Sequence, residues 1–250
     1  MLERKPLILV GGGGHCKSVI EAAESAGFTI KGILDLPEYL GQKVLSTEGI
    51  GDDDDISKYV EECDFVVTLG FIKNPSLRIK LHNRILESGG HLATIVASTA
   101  HVSKYATIGE GTVVLHGAMV NAGATIGKGC IINTLANIEH DAVVGDYCHI
   151  STGAMVNGDC KVGENTFLGS QSVMVNAISI PANSVFAAGS MIRKNQKIEG
   201  VYAGNPAILM KQNMNKADIV ISHPQTGGVN ILLPMCYGIL PKLVKFRAVC

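Results

Sequence analysis

The sequence predicts two architectures in series, a small α/β unit followed by a parallel β-helix of triangular section, and three observations carry that expectation. An apolar strand runs into a glycine loop at residues 7–14, LILVGGGG; an aliphatic or aromatic side chain then recurs every six positions from Val96 to Ile192; and a small side chain follows four residues after nearly every one of them. A period of six suits neither an amphipathic helix nor an alternating strand carried over roughly a hundred residues. It suits a prism in which each hexad is one short strand plus a corner, so that three hexads close a coil and coils stack about 4.8 Å apart.

In chain order, residues 7–10 read as a buried strand, and GGGGHCKSV leads into a helix, VIEAAESAG, with Gly27 placed at its C-terminal cap. A second strand, FTIKGILD, ends at Asp35, about twenty residues beyond the glycines, the spacing of a Rossmann-type βαβ unit. Amides at Gly12 and Gly14, the helix N-terminus behind them and the Lys17 cation suit a phosphate, with His15 alongside. The same loop also reads as a plain tight turn, and it lacks the third glycine of GxGxxG, which speaks against a dinucleotide site. DFVVTLG is a third strand, ending at Gly70. Asn74 and Pro75 suit the N-cap and first turn of a helix with Leu77, Leu81 and Ile85 on one face. Asp52 to Asp55 read as a solvated helix start with Asp55 as N-cap.

The hexads begin at Val96, with the aliphatic residue expected inside, the small one where walls converge, and a turn directly after the aliphatic position, where Gly, Asn or Ser is frequent. Ile178 and Gln196 break the small-residue rule. Residues 1–94 are therefore expected to form the α/β unit and 95–212 the β-helix, leaving 213–250 as an apolar, proline-punctuated tail without repeat.

A chain of 250 residues, 46% hydrophobic and 17% charged, is ample for packed cores and argues against disorder. A formal net charge of −1 gives no global field for nucleic acid or an anionic membrane, so any phosphate binding must be local. The apolar run before the glycines is too short for a signal-peptide core, and no window reads as a transmembrane span. A cytoplasmic protein with small-molecule partners is expected. Seven scattered cysteines without CxxC spacing suit reduced thiols.

The hexads from 96 to 197 resemble the left-handed parallel β-helix of hexapeptide-repeat acyltransferases, and the handedness comes from that likeness, since right-handed crossovers are the general rule. With GGGGHCKSV, GILD ending in Asp35, LGFIKNPSLR with Gly70 and Arg78, INTLANIEHD and VYAGNPA, the chain from 7 to about 211 resembles the PglD-like sugar acetyltransferases, neighbours of the sialic acid O-acetyltransferases. The resemblance implies a homotrimer that binds acetyl-CoA between neighbouring prisms, uses no metal, and acetylates the 4-amino group of a UDP-linked amino-dideoxy sugar for glycan or surface polysaccharide synthesis. It puts Gly12, Gly14, His15, Lys17, Asp35, Gly70 and Arg78 on the nucleotide-sugar side and Asn133 and Thr134 near the sugar. His149 and the backbone N–H of Gly158 fall beside the thioester, and His140 becomes the general base with Asp141 holding its ring.

From position alone, His140 is third in the hexad IEHDAV, pointing away from an interior filled by Ile138 and Ala142, and reads as a solvated surface residue. The implied chemistry gives it work. A sugar ammonium cannot attack a thioester until it loses a proton, imidazole titrates near the working pH, and a neighbouring carboxylate fixes its tautomer. Asp141 is one methylene shorter than the family's glutamate, so Glu139 is the alternative orienting group. Direct attack by the amine needs no acyl-enzyme, and an amide donor would stabilise the oxyanion.

Two other readings stand beside this one: O-acetylation of a sialic acid or related sugar, and a non-catalytic trimeric scaffold that binds nucleotide sugars. A zinc site of the three-histidine kind needs ligands stacked eighteen residues apart or close in sequence, whereas His116 plus eighteen is Thr134, His140 plus eighteen is Gly158, and no HxxxxH pair occurs. Cys130 and Cys148 do stack at eighteen, as small packing residues.

Overall fold

β1 (Leu7–Val10) is buried at all four positions, as an unbroken apolar run covered on both sides requires. It is followed by α1 (Gly14–Ser25), β2 (Ile30–Leu34), β3 (Lys43–Val44), β4 (Thr47–Gly51), β5 (Asp64–Val67) and α2 (Ser76–Glu87). The sheet order is β3-β4-β2-β1-β5, parallel apart from β3. Since β2 and β5 flank β1 on opposite sides, the glycine loop leaves β1 at the switch point of the sheet, where open α/β sheets take their ligands. The computed structural model describes residues 4–212, so the tail from 213, with Cys236 and Cys250, lies outside the described residues.

Gly27, at φ +78°, closes α1 as expected. Other local expectations shift. Asp52, not Asp55, caps the 3-10 turn Asp53–Lys58, and Asp55 closes the capping box from the third position. α2 starts at Ser76, whose N–H is accepted by Asn74 Oδ1 at 2.8 Å. Its buried stripe is Arg78, Leu81, His82 and Ile85, while Leu77 is 58% exposed. Each four-residue step advances about 40° around a helix, which carries Leu77 off the stripe that Ile85 occupies.

The hexads form seventeen two-residue strands, from Ile95–Val96 to Met191–Ile192. Pairings such as Met119↔Asn137 and Ile131↔His149 join residues eighteen apart, so three hexads make one coil of a left-handed parallel β-helix. The aliphatic residues from Val114 to Ile192 are buried along one continuous core, with the small residues packed between them. At about 1.5–3 kcal/mol per buried aliphatic side chain, that single column supplies most of the driving force for the prism.

Corners in two of the three columns are four-residue turns in which the small residue's N–H returns to the carbonyl three residues back, as in Ala136 N to Asn133 O at 3.0 Å. From Gly111 to Gly189 the third turn residue has positive φ at every corner: Gly111, Gly117, Gly123, Gly129, Gly153 and Gly189, but also Leu135, Asp141, Tyr147, Asp159, Asn165, Gln171, Ala177 and Asn183. The demanding position is thus three residues after the aliphatic one and not directly after it, because a type II turn needs positive φ at its third residue. In one corner column Thr112, Cys130, Cys148 and Thr166 each donate to a carbonyl fifteen residues on, at 2.8, 3.1, 3.1 and 3.0 Å. Cys130 and Cys148 are free thiols there, acting as small donors.

The three faces of the prism differ. The face carrying Val113, Ile131, His149 and Phe167 is covered by α1 and Phe71, in one buried cluster with Leu7, Cys16 and Val19. A second face turns Met119, Asn137, Met155, Val173 and Met191 outward, and Met119 and Met155 are 40% and 39% exposed. The third face carries Thr107, Thr125, Val143, Lys161 and Ser179, all exposed. Among the described residues no helix is long and apolar enough to cross a membrane.

Candidate active site

The candidate residues gather in three places. The first is the edge between the apolar and polar faces, where the turn after Ile138 presents His140. Its side chain is 62% exposed, and Nδ1 donates to Asp141 Oδ2 at 2.9 Å. A carboxylate only accepts, so the proton sits on Nδ1 and the neutral ring carries its lone pair on Nε2. The Asp141 hydrogen bond, aided by the charges of Glu139 and Asp159, raises the imidazole above its ordinary value of 6.5. Asp141 therefore reaches the ring despite its shorter side chain. Glu139 is engaged elsewhere, accepting from Asn121 Nδ2 at 3.1 Å and Asn137 Nδ2 at 2.8 Å.

One coil further on, Gly158 lies under the ring. A Cβ built on Gly158 would sit 2.6 Å from His140 Nε2 and 2.7 Å from Cε1, closer than any carbon contact allows, so only glycine admits the imidazole in this pose. The Gly158 carbonyl accepts from Ala177 N at 2.9 Å, while its own N–H finds no acceptor among the described residues. Asn176, eighteen residues beyond Gly158, brings Nδ2 to 3.3 Å from the same point.

The second group lies where the α/β unit meets the covered face. His149 opens a strand there and does not stand at a corner, because its outward side chain is capped by the α/β unit and is only 8% exposed. Nδ1 donates to the Phe71 carbonyl at 2.7 Å and Nε2 accepts from Asn133 Nδ2 at 3.1 Å, which fixes the neutral tautomer. Asn133 Oδ1 in turn accepts the Thr134 N–H at 2.8 Å. The ring packs edge-on to Phe71 and Phe167, and His15 follows at 6.4 Å between centroids. His15 Nε2 is buried without a hydrogen-bond partner among the described residues, and Gly70 lies against its Cβ.

The third group is the loop after β1. Asp35 Oδ2 accepts the Gly12 N–H at 2.6 Å and Oδ1 accepts the Leu36 N–H at 2.8 Å, so this carboxylate pins the loop to the end of β2. Gly12, Gly13 and Asp35 line a cleft of about 410 Å³ closed on the other side by Tyr39, Gln42, Lys43 and Val44. Gly14 and Lys17 are exposed on the first turn of α1, which carries no acidic residue to oppose an anion.

Arg78 differs from its expectation. It is 1% exposed, and its guanidinium donates to the carbonyls of Val67 at 2.6 Å, Leu69 at 3.1 Å, Gly129 at 2.9 Å and Gly111 at 3.4 Å. Those four acceptors absorb the donors a phosphate would need, so Arg78 ties the α/β unit to the prism and presents no charge to a ligand. His149, likewise, does not share an edge with His140 in one chain: the whole apolar face separates them.

Burial drives three rings far below the ordinary histidine value of 6.5, His15 and His82 to about 3 and His149 to about 4, with the Arg78 charge adding to each. Unfolded rings bind protons at about 6.5, so stability from keeping these rings neutral is whole above that pH and drains as the pH falls toward 4. Each ring adds a slope on the order of 1.4 kcal/mol per pH unit in that window. Urea unfolding is expected to show a loss of several kcal/mol between pH 7 and 5; an unchanged midpoint would contradict the burial of these rings.

Comparison with known proteins places this geometry. The family model for the PglD N-terminal domain matches residues 6–85. The acetyltransferase domain of PglB from Neisseria gonorrhoeae, solved in complex with acetyl coenzyme A, is 29% identical, with 83% of this chain and 100% of that one covered and a TM-score of 0.77. PerB from Caulobacter crescentus, in complex with CoA and GDP-perosamine, is 30% identical over 83% of this chain and 98% of that one, at a TM-score of 0.76. WeeI from Acinetobacter baumannii, 21% identical with a TM-score of 0.70 over 82% of this chain and 99% of that one, shares the fold. Fold and site together define an acyltransferase of the left-handed β-helix class, with acetyl-CoA as its co-substrate. The chain belongs to the PglD-like family of hexapeptide-repeat sugar N-acetyltransferases.

Proposed function

We propose that this enzyme acetylates the 4-amino group of a UDP-linked amino-dideoxy sugar, by direct attack of the amine on acetyl-CoA with His140 as general base. The observation that carries this is the His140 ring, anchored by Asp141 and seated over Gly158 on an open edge of the prism. Nε2 takes a proton from the attacking amine as the C–N bond forms, Asp141 stabilises the imidazolium, and the Gly158 N–H receives the oxyanion, whose collapse breaks the C–S bond and releases CoA as the thiolate that takes the proton from Nε2.

Acetyl-CoA would lie along the same edge. His140, Gly158, Asn176 and Lys194 occupy equivalent positions on four successive coils, and three coil steps of about 4.8 Å separate the first from the last. Arg193 and Lys194 line a cleft of about 340 Å³ with Pro206 and Ala207, cations suited to the phosphates of CoA. The nucleotide would take the cleft beside Gly12 and Asp35, its diphosphate toward the start of α1.

The acceptor side and His140 lie on different edges of one prism, which supports completion of the site by a second copy. The exposed apolar face between them suits the contact of a cyclic homotrimer, since obligate interfaces are apolar and closed symmetry hides the face on every copy. The test is thiol release from acetyl-CoA with UDP-, GDP- and CMP-linked 4-amino sugars and their 4-hydroxy counterparts. Turnover restricted to amino acceptors, fastest with the UDP-linked one, is expected. Turnover on hydroxyl acceptors alone, or none with any nucleotide-linked amine, would overturn the reading.

A further inference from the structure

Arg78 is buried with no carboxylate at ion-pairing distance among the described residues. Burial without a counter-ion is costly for a guanidinium and lowers its own proton affinity to about 10. A tie between two substructures does not need a charge, because neutral donors hold carbonyls at less cost. The charge therefore needs a use of its own, and its surroundings supply one.

We propose that Arg78 is a positioning residue for His15 and His149: it fixes the segment that orients His149 and sets a buried guanidinium without a carboxylate partner beside the two rings. This rests on the proposed function, with His15 on the nucleotide-sugar side and His149 next to it, 6.4 Å away between ring centroids.

The geometry has two parts. Nη1 holds the carbonyls of Val67 and Leu69, which fixes the chain as it leaves β5, and two residues later the Phe71 carbonyl takes the His149 Nδ1–H. Nε and Nη2 hold Gly129 and Gly111 on two successive coils of the prism that carries His149. The groups facing this cluster are His15 and Cys16 from α1, His82 from α2, Asp35 at the end of β2, and Cys130, Tyr147 and His149 from the prism. Asp146 and Glu110 also act on Tyr147 and Lys128 on His82, while Asp35 is turned to the loop amides. Arg78 is the charged side chain that acts on both His15 and His149, and a neutral His15 keeps Nε2 able to donate or accept one hydrogen bond.

Two variants separate the charge from the tie. Arg78→Lys keeps a cation but cannot reach carbonyls on three segments at once; Arg78→Met keeps the stem and removes the charge. Ring-nitrogen NMR titrations of His15 and His149 would be run with kcat and KM on the full-length protein. In the wild type neither ring is expected to protonate above about pH 5. Arg78→Met should raise both midpoints by about one pH unit and raise KM for the nucleotide sugar about tenfold, most at the acid end, with KM for acetyl-CoA unchanged. Arg78→Lys should keep the midpoints low. Wild-type rings titrating near their ordinary value, or Met and Lys variants with wild-type midpoints, would reduce Arg78 to a structural tie. If Arg78→Met does not fold, Arg78→Gln, which also removes the charge but keeps polar donors for the carbonyls, takes its place in the same titrations, and wild-type midpoints there would overturn the proposal. Absence of turnover in the wild type would remove the proposed function, while the titrations judge Arg78 separately.

Discussion

His140→Ala is expected to lower kcat/KM for the amine acceptor by about 10²–10⁴-fold, the usual worth of a positioned general base. The side chain is exposed and outside the core, so the variant should fold and unfold like the parent, which makes the loss a statement about chemistry. The pH profile refines the test. A base must be neutral to accept a proton, and the Asp141 hydrogen bond favours the charged ring, so the ascending limb of kcat/KM should lie above the ordinary histidine range. Asp141→Asn should move that limb down toward 6.5, because the anion that favours imidazolium is gone. An unshifted limb in Asp141→Asn, or near-normal turnover in His140→Ala, would remove His140 from the mechanism.

Gly158→Ala is expected to cost about 10²-fold in kcat, the effect of displacing a catalytic group by about an ångström. The added methyl would fall 2.6 Å from Nε2 and 2.7 Å from Cε1. Backbone strain is not the cause, since Gly158 lies outside the positive-φ set. The ring must swing out, and it can do so only by lengthening its bond to Asp141. Acetyl-CoA affinity should change less than kcat, and a structure of the variant should show the displaced ring. Unchanged kcat would mean that the ring has other productive positions, and the seating argument would fail.

Much of this was legible in the residues. The hexad count gave strands, coil number and an eighteen-residue stacking rule, because one interior position per six must be apolar and three hexads bring the chain round to the next coil. That same rule places Gly158 one coil beyond His140 and Asn176 one coil beyond Gly158, so the partner at Asn176 could have been found by addition alone. The role of Arg78 could not, since a guanidinium reads alike whether it meets a phosphate or four backbone carbonyls that only the folded chain brings together. The position of His149 was hidden for a related reason: periodicity tells which way a strand residue points, but not that the α/β unit covers that face. Tyr39 and Lys43, which close the cleft beside Gly12, sit on the short stretch leading into and opening β3, without motif or period.

The column of left-handed turn residues carries a consequence for engineering the scaffold. Eight of its members bear side chains where glycine would be more comfortable, each at a cost of order 1 kcal/mol. Leu135, Gln171 and Ala177 are open to exchange for a gain in robustness. Asp141 is the exception: relieving its backbone would unfasten the imidazole, so the enzyme holds one rung of its ladder in an uncomfortable shape as the tariff on its chemistry.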